Sequence, residues 1–112
     1  MERIEKFETY AKEAHKTALY PKDKAIEYLA LGLAGEAGEV ANKVKKIIRG
    51  DGNANMELIA EELGDVLWYL SELSAFVCKD SDDPFGEIAA RNISKLRSRF
   101  ERDKIKGSGD NR

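Results

Sequence analysis

The sequence has 112 residues, of which 36% are charged and 42% hydrophobic, and its 19 basic and 21 acidic residues leave a net charge of −2. This length favours one domain with a small core, and the near balance of charge argues against general nucleic-acid binding through a basic surface. A single cysteine, Cys78, excludes an internal disulfide and fits a reducing compartment. No apolar stretch approaches membrane-spanning length and no signal-like start is present, so we expect a cytoplasmic protein with no membrane partner.

The first half of the chain predicts two helices. Residues from about Ile4 to Ala18 place apolar side chains at helical spacing, until Tyr20–Pro21 interrupts the pattern. A longer second helix is predicted from Asp23 to about Ile48, because residues 50–53 (Gly-Asp-Gly-Asn) form a strong turn signal.

The second half predicts two more helices. Asn55 is the predicted N-cap of a third helix that continues to about Asp80, and Asp83–Pro84 is a favourable start for a fourth. The sequence therefore predicts an all-α, four-helix bundle as one domain over residues 1–105, followed by a flexible tail over residues 106–112.

Two acidic pairs interrupt the apolar rows of the second and third helices. Within each pair the carboxylates are three residues apart, so they share one helix face. A carboxylate in an apolar row is costly to bury unless a cation meets it, and oxygen ligands favour Mg²⁺, with Mn²⁺ as a substitute. Zinc and a ferritin-like di-iron site are disfavoured, because the only histidine follows neither pair. The four residues are Glu36, Glu39, Glu62 and Asp65.

Glycines inside the predicted helices add to this pattern. Each glycine lowers helix stability by about 1 kcal/mol relative to alanine, so a compensating reason for its presence is expected. We predict close contact between helices around the acidic pairs. The glycines are Gly32, Gly35, Gly38 and Gly64.

The segments 35–40 (Gly-Glu-Ala-Gly-Glu-Val) and 61–70 (Glu-Glu-Leu-Gly-Asp-Val-Leu-Trp-Tyr-Leu) resemble the MazG-like nucleoside triphosphate pyrophosphohydrolases of the all-α NTP pyrophosphatase superfamily. The family pattern E-x-x-E, a spacer, then E-x-x-D matches the two acidic pairs. The resemblance implies Mg²⁺-dependent hydrolysis of a nucleoside triphosphate between its α- and β-phosphates, giving the monophosphate and pyrophosphate. It also implies that all four carboxylates are metal ligands.

Further residues follow from the acidic pairs. Glu61, next to Glu62, is a candidate water-activating base or a residue that supports the ligands. Lys43 and Lys46 follow the first pair at helical spacing and are candidates for phosphate binding. The alternative for both lysines is an ordinary solvated position.

Candidate substrate contacts also lie elsewhere. Asn92, Lys95 and Arg99 share a face of the fourth helix, and the resemblance suggests that such residues reach the phosphates. Their alternative is a polar outer face. Trp68 and Tyr69 are placed to border the nucleobase, although aromatic residues at this spacing also suit a core or a subunit interface.

Surplus apolar residues on the third helix, and the family resemblance, predict a homotetramer or a homodimer. Alternatives to an enzyme are a non-catalytic helical oligomerisation module with a structural metal and a nucleotide sensor with slow turnover. The preferred base and sugar stay open, and damaged nucleotides and alarmones such as ppGpp remain candidates. The surplus residues are Leu58, Leu67, Trp68 and Phe76.

Overall fold

A computed structural model describes residues 1–50 and 56–102, and this part of the chain contains helices and no strand. The prediction of an all-α fold is therefore confirmed for the described residues. The predicted cap at Asn55 and the predicted tail over residues 106–112 lie outside them. The elements are α1 (Phe7–His15), a 3₁₀ turn (Lys22–Lys24), α2 (Ala25–Arg49), α3 (Met56–Val77) and α4 (Pro84–Glu101).

Helix α1 is three residues shorter at each end than the sequence predicts. The Thr17 hydroxyl donates a 2.7 Å hydrogen bond to the carbonyl oxygen of Ala14, and the Thr17 amide donates to the same oxygen at 3.0 Å. Both bonds join residue i to residue i−3, whereas the amides of an α-helix donate to residue i−4, so the helix ends in a tighter turn. The prediction that the helix continues to Ala18 is wrong for this reason.

Two other helix ends follow the predicted chemistry. Gly50 ends α2 with a φ of +76°, the left-handed conformation that glycine adopts without a steric penalty. At the start of α4, an Asp83 carboxylate oxygen accepts a 3.1 Å hydrogen bond from the Gly86 amide, and Pro84 occupies the first turn. The predicted Asp83–Pro84 start is therefore confirmed.

Helix α3 is central, since it contacts α1, α2 and α4, while α4 contacts α1 and α3 but not α2 in the described chain. The buried core lies at one end of the α2–α3 pair. Over Ala30–Arg49 of α2 and Met56–Leu70 of α3, no residue is fully buried. The main core cluster consists of Tyr20, Ala25 and Leu29, packed against Ala18, Trp68, Tyr69, Leu73 and Phe76, and Ala14, Cys78 and Phe85 are also buried.

Large apolar side chains are exposed on the protomer. Leu31 and Ile48 of α2 keep 74% and 82% of their surface, and Leu63 of α3 keeps 53%. The predicted apolar surplus on α3 is found at Leu58, which is exposed, whereas Phe76 packs against the core.

None of the described helices combines the length and apolar character needed to cross a membrane.

Candidate functional site

Three carboxylates from two helices converge at one point. Glu36 comes from α2, and Glu62 and Asp65 come from α3; one carboxylate oxygen of each lies within 4.8 Å of the others. Gly32 of α2 faces Tyr69 of α3. Four residues later on α2, Glu36 meets Asp65, which is four residues earlier on α3, so the two helices run antiparallel. We call Glu36, Glu62 and Asp65 the acidic cluster.

The electrostatics of the cluster are those of crowded like charges. A side-chain hydrogen bond with Glu62, followed by burial and by the charges of Asp65, Glu62 and Glu39, raises the pKa of Glu36 above its ordinary value. Each of the charged groups that shift this pKa is an acid. Because nearby carboxylates repel one another, a cation between them would remove the penalty. Hard divalent ions prefer such all-oxygen ligand sets, so the donor set fits Mg²⁺ or Mn²⁺.

The other two predicted acids lie outside the acidic cluster. Glu39 is exposed on α2, one turn after Glu36, and acts on Glu36 through its charge. Glu61 is also exposed, beside Glu62 on α3. The structure thus brings together three of the four predicted ligands.

A close contact between α2 and α3 adjoins the acidic cluster. A Cβ atom at Gly32 would overlap the ring of Tyr69, so the predicted close approach is confirmed there. It is not found in the protomer at Gly35, Gly38 or Gly64, where a Cβ would meet nothing within 4 Å. Burial, the charge and hydrogen bond of Tyr28, and the charges of Glu36 and Asp65 raise the pKa of Tyr69.

An open cleft of about 300 Å³ borders the acidic cluster and is lined by Thr17, Asp65, Trp68 and Tyr69. The Trp68 indole donates a 2.9 Å hydrogen bond to the Thr17 hydroxyl, and its ring meets Tyr69 edge-on with centroids 5.0 Å apart. Trp68 also packs against the core. Trp68 therefore joins the core, as one sequence interpretation has it, and also lines the cleft beside Asp65, while its contact with a nucleobase stays a prediction.

The predicted phosphate-binding residues are divided between two helices. Lys43 and Lys46 are half-buried on α2, after the acidic cluster, whereas Asn92 and Lys95 are exposed on α4. Arg99 is only 3% exposed, so the alternative of a polar outer face is wrong for this residue. Because α4 does not contact α2 in the described chain, the two sets do not meet by helix packing in the protomer.

Sequence reasoning missed Glu72, a carboxylate of α3 that is 2% exposed. Its oxygens accept a 2.7 Å hydrogen bond from the Tyr20 hydroxyl and lie 3.1 and 3.2 Å from Nδ1 of His15. The available signal was spacing, because Glu72 follows Asp65 by seven residues and Trp68 by four, which places all three on one face of α3.

Comparison with known proteins gives one family and one relative. The model of the MazG nucleotide pyrophosphohydrolase domain matches residues 24–102, more than half of the chain. The chain is similar to the Gene 37 protein of Mycobacterium phage L5. The two are 42% identical over an alignment of 113 positions, which covers 92% of this chain and 96% of the relative. No solved structure matches. The matched range includes the acidic cluster and all of α2, α3 and α4.

Proposed function

Because the chain belongs to the MazG nucleotide pyrophosphohydrolase family, we propose that it hydrolyses a nucleoside or deoxynucleoside triphosphate between the α- and β-phosphates. The products are the nucleoside monophosphate and pyrophosphate. The convergence of Glu36, Glu62 and Asp65 carries this proposal, since a triphosphate cannot approach uncompensated carboxylates.

In this proposal the acidic cluster holds Mg²⁺, with Mn²⁺ as a substitute, and Glu39 adds a fourth carboxylate on the next turn of α2. The ligand atoms that the acidic cluster offers are all carboxylate oxygens, the donors that these ions prefer. When bound, such an ion supplies positive charge to the phosphate oxygens and Lewis acidity at the reacting phosphoryl group. The raised pKa of Glu36 supports the assignment, because the charged groups that raise it, Asp65, Glu62 and Glu39, are all acids.

The remaining roles belong to side chains around the cluster. Glu61 is exposed beside Glu62, so it is open to solvent and can accept the proton of an attacking water. Lys43 and Lys46 supply positive charge to the phosphates from α2. Trp68 borders the nucleobase in the cleft next to Asp65.

Residues of α4 extend the phosphate site in this proposal. Lys95 and Asn92 are exposed and donate hydrogen bonds to the phosphates. Arg99 contributes its positive charge from a buried position on the same helix. Since α4 does not contact α2 in the described protomer, these residues complete the site of α2 and α3 either across the open face or from a neighbouring subunit.

We also propose a homo-oligomer, a tetramer in preference to a dimer. The support is apolar surface on the helices that carry the cluster, at Leu31, Ile48 and Leu63, which a soluble monomer rarely exposes together. Sedimentation equilibrium at several protein concentrations measures the assembly directly, and a monomer at every concentration contradicts this part of the proposal.

A panel of common ribo- and deoxynucleoside triphosphates tests the proposed reaction, with Mg²⁺ present and products identified by phosphorus NMR. Monophosphate and pyrophosphate are expected from at least one substrate. Orthophosphate as the only released product contradicts α–β cleavage. Tight nucleotide binding with negligible pyrophosphate release supports the sensor, and neither binding nor turnover supports the oligomerisation module.

A further inference from the structure

The ring of Tyr69 rests directly on the backbone of α2 at Gly32. A Cβ built on Gly32 would overlap three ring atoms, and even the farthest of them, Cδ1, would be only 2.7 Å away. Real Cβ atoms do not approach other heavy atoms this closely, so glycine is required for the ring to take this position. The contact therefore fixes how near α2 and α3 come to each other at this point.

The contact occupies the layer next to the acidic cluster. Gly32 precedes Glu36 by four residues on α2, and Tyr69 follows Asp65 by four on α3. Four residues correspond to about 6 Å along a helix and to the same face, so each partner is stacked on a cluster residue.

On the other side of the cluster, the described parts of the two helices meet through half-buried and exposed side chains. Among the described residues, none over Ala30–Arg49 of α2 or Met56–Leu70 of α3 is fully buried. At Gly35, Gly38 and Gly64, the glycines near the cluster, an added Cβ would have no neighbour within 4 Å. The Gly32–Tyr69 contact thus lies at the boundary between the packed core and the open end that carries the acids.

We propose that Gly32 and Tyr69 are positioning residues that set the separation of α2 and α3 at the acidic cluster and thereby its affinity for a divalent cation. The inference rests on the metal assignment in the proposed function. Glu36 lies on one helix and its two partners on the other, so a change in separation moves Glu36 relative to both. Metal–oxygen distances tolerate shifts of only about 0.2 Å, far less than the width of a methyl group.

The test is Mn²⁺ binding to the full chain without nucleotide, followed by electron paramagnetic resonance of the free ion. Gly32→Ala is expected to raise the Mn²⁺ dissociation constant at least about tenfold, the effect usual for residues that orient metal ligands. Gly35→Ala is the matched control, because its methyl group meets nothing within 4 Å in the protomer, and its dissociation constant should equal that of wild type. Circular dichroism establishes that each variant is folded.

The Tyr69→Ala background keeps the proposal testable if Gly32→Ala alone does not fold. Tyr69→Ala removes the ring, so adding Gly32→Ala in that background should change Mn²⁺ affinity by much less than tenfold. Tyr69→Phe keeps the ring and should bind Mn²⁺ like wild type. A tenfold effect of Gly32→Ala in the Tyr69→Ala background, or a tenfold loss in Tyr69→Phe, would overturn the positioning role.

The same titrations separate this inference from the proposed function. If wild type binds no Mn²⁺, the metal assignment fails and the positioning role fails with it. If wild type binds Mn²⁺ and folded Gly32→Ala binds it equally well, only the positioning role is contradicted.

Discussion

The hydroxyl of Tyr20 donates a 2.7 Å hydrogen bond to Oε1 of Glu72, a carboxylate 52 residues later in the chain that is 2% exposed. Burial, then this hydrogen bond and the charge of Glu72, raise the pKa of Tyr20. The bond connects the segment between α1 and α2, which contains Tyr20, to α3 at Glu72. It therefore joins the N-terminal part of the chain to the helix that carries Glu62 and Asp65.

Tyr20→Phe removes the donor and leaves a buried carboxylate short of one hydrogen bond. We expect the free energy of unfolding to fall by about 1.5–3 kcal/mol, the usual range for a hydrogen bond to a charged group. Urea denaturation measures it, with Tyr28→Phe as the matched control because Tyr28 is 44% exposed and its hydroxyl bonds with Tyr69 and not with a buried carboxylate. Equal losses in the two variants would show that the Tyr20–Glu72 bond has no special weight.

Glu36→Gln should stabilise the metal-free protein at neutral pH. The folded-state pKa of Glu36 is raised, so the favourable contribution of its protonated form is present below the ordinary carboxyl pKa and is lost as the pH rises through the raised value. Glutamine imitates the protonated form and does not titrate. Urea unfolding with EDTA should therefore show that the stability of the variant relative to wild type increases as the pH rises above the ordinary carboxyl pKa.

The matched control for this comparison is Glu27→Gln, an exposed acid in the first turn of α2 that lies outside the acidic cluster. It should show no such gain relative to wild type. A stability difference between Glu36→Gln and wild type that does not change with pH would contradict the crowding of charge at Glu36.

Local patterns predicted the four described helices and the pairing of acids, because helical spacing and caps such as Asp83 depend on neighbouring residues. Which acids meet across α2 and α3 depends on packing, so Glu36 joined the cluster while Glu39, on the same helix, did not. The burial of Glu72 depends on Tyr20, and the burial of Arg99 depends on how α4 packs. Neither dependence can be read from local sequence.

Trp68→Phe should raise KM for the nucleotide and change kcat little. The indole lines the cleft beside Asp65 and is held by the Thr17 hydroxyl, so its loss removes contact area and leaves the carboxylates in place. Steady-state kinetics measures both constants, and Thr17→Val should show a smaller increase in KM because the ring remains. A loss confined to kcat would mean that Trp68 acts by holding Asp65.

Cys78 should react slowly with iodoacetamide. It is a free cysteine with 7% of its surface exposed, and burial, followed by a hydrogen bond with Glu87, raises its pKa. Because the thiolate is the reactive form, alkylation of the folded protein near pH 8 should be much slower than that of the urea-unfolded chain. Equal rates in the two states would contradict a buried structural thiol.

The most direct test of the acidic cluster as a catalytic metal site is Mg²⁺-dependent pyrophosphate release by folded Glu62→Gln, measured beside wild type and Glu57→Gln. Glu57 is an exposed acid at the start of the same helix and outside the cluster. The account predicts pyrophosphate release by wild type and Glu57→Gln and its loss in Glu62→Gln, because a neutral amide removes one charged ligand. Release by Glu62→Gln at the wild-type rate would contradict it.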